Sequence, residues 1–105
     1  MHPGFTTAAP PNAVLTEKAG SDLDNIYEHY RETAGADAAM KIISTILQSF
    51  KQLEVFPGSG RPSVMPDVRE RVLDRYPFIV PYRFSQGKIQ VLRVLHQRME
   101  RSQDW

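Results

Sequence analysis

Residues 77–96 read PFIVPYRFSQGKIQVLRVLH, two apolar runs separated by the turn sequence SQGK at 85–88. Branched and aromatic residues on both sides of a glycine-containing turn are typical of a β-hairpin, because glycine readily adopts the positive φ that such turns need. The pattern predicts strands over 78–85 and 88–96, the second apolar on both faces and therefore central in a sheet. Pro81 cannot donate a ladder hydrogen bond, so we expect a bulge or an unpaired group there.

Two helical patterns precede this hairpin. Apolar residues recur every three or four positions over 17–34 and again over 36–53, which is the spacing of amphipathic helices. Gly35 interrupts the pattern, and so short a linker predicts an antiparallel helix hairpin. Thr16 can cap the first helix through its side-chain oxygen. The apolar run 13–15 before it predicts a short strand.

The second helix is expected to end at the sequence FPGSG of residues 56–60, because proline cannot continue a helix. A further strand is predicted over 68–75. The order of elements is then β-α-α-β-β-β. The apolar helix faces predict an α+β fold in which the helix hairpin packs on a mainly antiparallel sheet.

Length and composition predict one small domain, which we place at 12–105. A chain of 105 residues with 41% hydrophobic residues can bury one modest core. The first eleven residues contain three prolines, which predicts a disordered leader over 1–11, and they lack the features of a secretory signal. No apolar run reaches the roughly 20 residues of a membrane span. The chain has no cysteine, so we expect a cytoplasmic protein.

Charge is distributed unevenly along the chain. Residues 1–56 carry four basic and seven acidic side chains, whereas residues 57–105 carry nine basic and five acidic ones. Eight of those nine are arginines on or beside strand-like segments. This asymmetry predicts a basic sheet face that binds an anionic or carboxylate-bearing partner. The alternative is that these arginines bind no partner: their guanidinium groups are solvated while the aliphatic parts of the side chains lie on the sheet.

Seven residues of this half are candidates for binding a target or partner: Arg61, Arg69, Tyr82, Arg83, Arg93, His96 and Arg98. Arg61 can bind a phosphate or carboxylate through two hydrogen bonds, or can pin the preceding loop to a backbone carbonyl. Tyr82 can equally be a core residue with its hydroxyl at the rim. His96 can titrate near neutral pH as a general acid or base, or be held by a backbone group. The three histidines are too scattered for a metal site, so no metal or cofactor is expected.

Five short motifs follow the helix hairpin in order: Phe56-Pro57, Gly60-Arg61, Arg69, Pro81-Tyr82-Arg83 and Leu92-Arg93-Val94-Leu95-His96. On these elements the chain resembles the RelE/ParE superfamily over about residues 12–100. Its members are the small bacterial toxins of type II toxin–antitoxin and plasmid-stabilisation modules. The resemblance implies a cognate antitoxin that fills a groove between helix hairpin and sheet, and a toxin–antitoxin hetero-oligomer.

The superfamily has two branches with different mechanisms. RelE-like toxins are ribosome-dependent mRNA endonucleases, for which the catalytic candidates here are His96, Arg83 and Arg61. ParE-like toxins bind and poison DNA gyrase without chemistry of their own. RelE-like members tend to show lysines ahead of the first sheet strand, where this chain has GSGR at 58–61. The resemblance therefore favours the ParE-like branch, a protein-binding inhibitor that is not an enzyme, with the mRNA endonuclease as the alternative.

A plain nucleic-acid-binding module is a third hypothesis. The basic sheet favours it, but the aromatic residues at 76, 78, 82 and 84 crowd one or two strands and are interpreted mostly as core. We therefore rank this hypothesis below both toxin branches.

Overall fold

The computed structural model describes residues 13–97, so the predicted leader over 1–11 and the candidate Arg98 lie outside the described residues. The elements in chain order are β1 (Ala13–Leu15), α1 (Glu17–Ala34), α2 (Ala36–Val55), β2 (Arg61–Pro62), β3 (Arg69–Val72), β4 (Phe78–Ser85), β5 (Lys88–Val91) and β6 (Leu95–His96). The predicted α+β fold, with a helix hairpin on a mainly antiparallel sheet, is confirmed.

The helix hairpin forms where the sequence predicts it. The Thr16 side-chain oxygen accepts a hydrogen bond from the Ala19 N–H at 3.1 Å, which caps α1. Gly35 adopts a φ of 94° between the two helices, a conformation that a residue with a Cβ rarely adopts. Neither helix of the described chain has the length and apolarity to cross a membrane.

The sheet has the strand order β1-β5-β4-β3-β2, with β6 paired to the beginning of β4. The first strand is parallel to β5, and the other pairs are antiparallel. The predicted turn at 85–88 is a tight hairpin in which Gln86 and Gly87 both have positive φ, as a two-residue loop requires. Since β5 lies between β1 and β4, its predicted central place is confirmed.

The predicted continuous strand over 88–96 is wrong, because it breaks at 92–94. Val91 pairs with Tyr82 and Leu95 pairs with Ile79, so three residues of the late chain face two residues of β4. This extra residue is a bulge opposite Pro81, which meets the expectation for that proline. The Leu92 N–H still donates to the Pro81 carbonyl oxygen at 2.9 Å.

The helices cover one face of the sheet, which we call the helix face. Phe78, Val80 and Tyr82 point into the core on this face, and Ile79, Pro81 and Arg83 define the far face. Directly opposed residues of paired strands share a face, which extends this division to the neighbouring strands. The residues placed on the helix face are Arg69, Arg71, Ile89, Val91 and His96, and those on the far face are Arg61, Glu70, Gln90 and Leu95.

Candidate functional site

A buried tyrosine and an arginine hold the loop that joins α2 to β2. The Tyr82 hydroxyl donates to the Pro57 carbonyl oxygen at 2.6 Å and accepts from the Gly60 N–H at 3.0 Å. Arg69 Nη1 donates to the Gly60 carbonyl oxygen at 2.8 Å. We call this arrangement the loop clamp. It joins four of the five sequence motifs, which lie up to 25 residues apart, into one structural unit.

Gly60 is confined within the loop clamp by its neighbours. A Cβ at this position would lie 2.7 Å from Tyr82 Cε1 and Oη and 2.9 Å from the Glu70 carbonyl oxygen. Those distances are shorter than van der Waals contact, and two of the three atoms belong to a fully buried ring. The glycine is therefore required by close approach, since only a residue without a side chain fits there.

The two arginines of the far face are in ion pairs. Arg61 Nε donates to Glu70 Oε1 at 3.1 Å across the β2–β3 pair, and Glu70 is buried. Arg83 Nε donates to Asp67 Oδ2 at 2.8 Å. One of the two roles predicted for Arg61 was a hydrogen bond to a backbone carbonyl of the preceding loop. Arg69 makes that hydrogen bond instead.

Arg93 lies on the bulge and turns toward α1. Its Nε and Nη2 atoms donate to the two carboxylate oxygens of Asp22 at 2.7 and 3.0 Å, and the Val94 N–H donates to the same carboxylate at 2.9 Å. The hydrogen bond with Asp22 raises the pKa of the Arg93 guanidinium above its ordinary value, although desolvation acts in the opposite direction. Because its guanidinium group pairs with Asp22 of α1, Arg93 lies on the helix side of the sheet, away from Arg61 and Arg83 on the far face.

His96 lines a groove between α1 and the beginning of β4. The groove has a volume of about 290 Å³ and is lined by Asp22, Asn25, Ile26, His29, Tyr30, Phe78, Val94 and His96. The imidazole packs edge-on against Phe78, with ring centroids 5.7 Å apart. We call this the hairpin groove. It occupies the place where the resemblance implies a groove for an antitoxin.

The three nuclease candidates do not share one site. His96 pairs with Phe78 on the helix face, whereas Arg61 and Arg83 are on the far face. Arg83 is also five residues beyond Phe78 along β4, which corresponds to about 16 Å of strand. Among residues 13–97, no group of three or more His, Asp or Glu side chains could hold a metal ion.

A second cleft lies at the other end of β4, and sequence reasoning missed it. It has a volume of about 290 Å³ and is lined by Pro57, Gly58, Pro66, Asp67, Arg69, Tyr82 and Phe84. We call it the rim cleft. The sequence pattern favours Phe84 as a core residue together with Phe78 and Tyr82, but 52% of its surface is exposed. The sequence signal for this exposure was the position of Phe84 beside the predicted turn, because the end of a strand can extend beyond the helices that cover the sheet.

Comparison with known proteins identifies the class. A sequence model of the family described as "ParE toxin of type II toxin-antitoxin system, parDE" matches residues 13–101. A relative from Sinorhizobium fredii, named "Putative toxin Y4kP", is 35% identical over 71 residues, which are 68% of this chain and 73% of the relative. A solved structure of the chromosomal ParDE toxin–antitoxin system from P. aeruginosa is 39% identical with a TM-score of 0.74, and the match covers 81% of this chain and 94% of that chain.

Fold and sequence together define a small toxin of the RelE/ParE superfamily, as the motifs indicated. Within that superfamily, the chain belongs to the family of ParE toxins of type II toxin–antitoxin systems.

The loop clamp gives a matched pair of glycine substitutions. Gly60→Ala is expected to lower the free energy of unfolding by about 2–3 kcal/mol, because the added methyl group must displace Tyr82 or the Glu70 backbone. Gly58→Ala in the same loop meets nothing within 4 Å and is expected to change it by less than about 0.5 kcal/mol. Urea unfolding followed by circular dichroism measures both, and equal effects would contradict the clamp.

The Asp22–Arg93 pair predicts a second stability difference. Asp22→Ala leaves a largely buried guanidinium and the Val94 N–H without their acceptor, so we expect a loss of about 2 kcal/mol. Glu28→Ala removes the exposed partner of Arg31 and is expected to leave the unfolding midpoint unchanged within error. Thermal and urea unfolding of both variants test this. A similar midpoint for the two would show that Asp22 does not anchor the bulge.

Proposed function

We propose that this ParE-family protein inhibits DNA gyrase by binding to it, acts in the bacterial cytoplasm, and is neutralised by a cognate antitoxin with which it forms a hetero-oligomer. The observation that carries the choice of mechanism is the separation of His96 from Arg61 and Arg83 on opposite faces of the sheet. Binding requires no shared reaction centre, so this arrangement is compatible with a protein-binding inhibitor.

Catalysis of RNA cleavage would require a different arrangement. An acid, a base and cations must all reach one phosphate, with heavy atoms within hydrogen-bonding distance of the reacting groups. His96 is on the wrong face for that, and Arg61 and Arg83 already hold carboxylates. These contacts support the gyrase-binding branch over the mRNA endonuclease, which stays the alternative.

The hairpin groove is the surface we assign to the antitoxin. Its walls combine apolar and aromatic side chains, Ile26, Tyr30 and Phe78, with polar groups at Asn25 and His29. A groove of this kind accepts the apolar anchors of an extended or helical segment, and its polar rim fixes the register of that segment. Occupation of this groove would cover α1 and the beginning of β4.

A gyrase assay with the purified, antitoxin-free protein tests the proposal. We expect loss of DNA supercoiling together with accumulation of cleaved DNA, both reversed by the cognate antitoxin. Unchanged gyrase activity would contradict the proposal. Cleavage of mRNA in the presence of ribosomes, with gyrase unaffected, would establish the alternative.

A matched pair of helix-surface substitutions tests the assignment of the groove. Asn25→Glu introduces a charge into the hairpin groove and is expected to weaken antitoxin binding by about tenfold, the effect of roughly 1.4 kcal/mol. Gln48→Glu introduces the same charge at an exposed position of α2 that does not line the groove. Calorimetric titration of each with the antitoxin measures the difference, and equal affinities would place the antitoxin elsewhere.

A further inference from the structure

The rim cleft combines an apolar wall with a cation. Pro57, Pro66 and the exposed ring of Phe84 form its apolar side, and Arg69 also lines it. Its volume of about 290 Å³ lies at the lower limit of small-molecule pockets, which hold about 300–1,000 Å³. A cleft of this size and chemistry suits a side chain of a partner protein better than a free metabolite.

Arg69 differs in charge balance from the arginines on the neighbouring strands. Arg61 of β2 and Arg83 of β4 each hold a carboxylate. Within residues 13–97, Arg69 forms no ion pair, and its hydrogen bond to the Gly60 carbonyl oxygen uses one of five guanidinium N–H donors. Asp67 also lines the cleft, but its carboxylate is paired with Arg83. The cleft therefore retains a positive charge that a partner carboxylate can neutralise through two parallel hydrogen bonds.

The loop clamp keeps the cleft in shape before any partner arrives. Pro57 is held through its carbonyl oxygen by the Tyr82 hydroxyl, and Arg69 is held through Gly60. Ordering of loops and side chains is one of the costs of protein association, so a wall that is already fixed binds with less loss of entropy. The conformation of this loop therefore favours binding at the rim cleft.

We infer that the rim cleft is the docking site for the target protein, and this rests on the proposed function. An apolar or aromatic side chain of the target packs on Phe84 and the two prolines, and a neighbouring carboxylate of the target binds Arg69. The cleft is six residues along β4 from Phe78 of the hairpin groove, or about 20 Å of strand. The target and the antitoxin thus meet separate surfaces of the toxin.

Two substitutions in the cleft test this inference. Phe84→Ala removes the exposed ring without touching the loop clamp, and Arg69→Gln removes the charge while keeping an N–H donor. Each is expected to raise the toxin concentration for half-inhibition of gyrase supercoiling at least tenfold, with antitoxin affinity unchanged within twofold. Arg75→Gln and Met40→Ala are the matched controls, because both residues are exposed and both line a different surface.

The outcomes separate the two proposals. Wild-type protein that leaves gyrase unaffected overturns the proposed function and the docking site together. If the wild-type protein inhibits gyrase and both cleft variants inhibit it equally well, the docking site alone is overturned. A selective loss of antitoxin affinity in the cleft variants also overturns it, since the cleft would then belong to the antitoxin. Urea unfolding of Phe84→Ala, which lies outside the loop clamp, shows whether a lost activity reflects lost folding.

Discussion

The extra residue opposite Pro81 determines how the late chain meets the first helix. Proline has no N–H for the ladder, and β4 changes its partner from β5 to β6 around this residue. The bulge this creates places Arg93 and the Val94 N–H against Asp22 of α1, 71 and 72 residues away in the chain. The same displacement brings Val94 and His96 to the wall of the hairpin groove. One missing donor in β4 thus shapes the wall of the hairpin groove.

At the other end of β4, a single hydroxyl group organises the second surface. The ring of Tyr82 is fully buried in the core, while its oxygen atom serves two backbone groups of the loop after α2. A buried polar group is tolerated when its hydrogen bonds are satisfied. The Tyr82 hydroxyl group finds its hydrogen-bond partners only when the loop after α2 is in this position. The core and the rim cleft are therefore connected through one side chain.

The helices, the hairpin turn and the α+β class could be predicted because they depend on local signals such as apolar spacing, a capping threonine and a glycine with positive φ. A bulge at Pro81 could be expected because proline lacks the ladder donor, but the break of the last strand at 92–94 could not, since that strand is apolar on both faces and its pattern does not fix the register. The pairing of Arg61 with Glu70 follows from the register of β2 against β3, which is a tertiary property. The interpretation of Phe84 as a core residue is wrong because the sequence pattern does not show where the helices stop covering the sheet.

The parallel pairing of β1 with β5 has a consequence for synthesis of the chain. Ala13 pairs with Ile89 and Leu15 with Val91. The first strand therefore cannot pair until β5, about 75 residues later in the chain, has been synthesised. The helix hairpin depends on local contacts and can form early, whereas sheet closure carries a high contact order. A nascent chain that has emerged only as far as α2 therefore has two helical segments whose apolar faces lack the sheet. The complete sheet arises only after nearly all of the described chain has been translated.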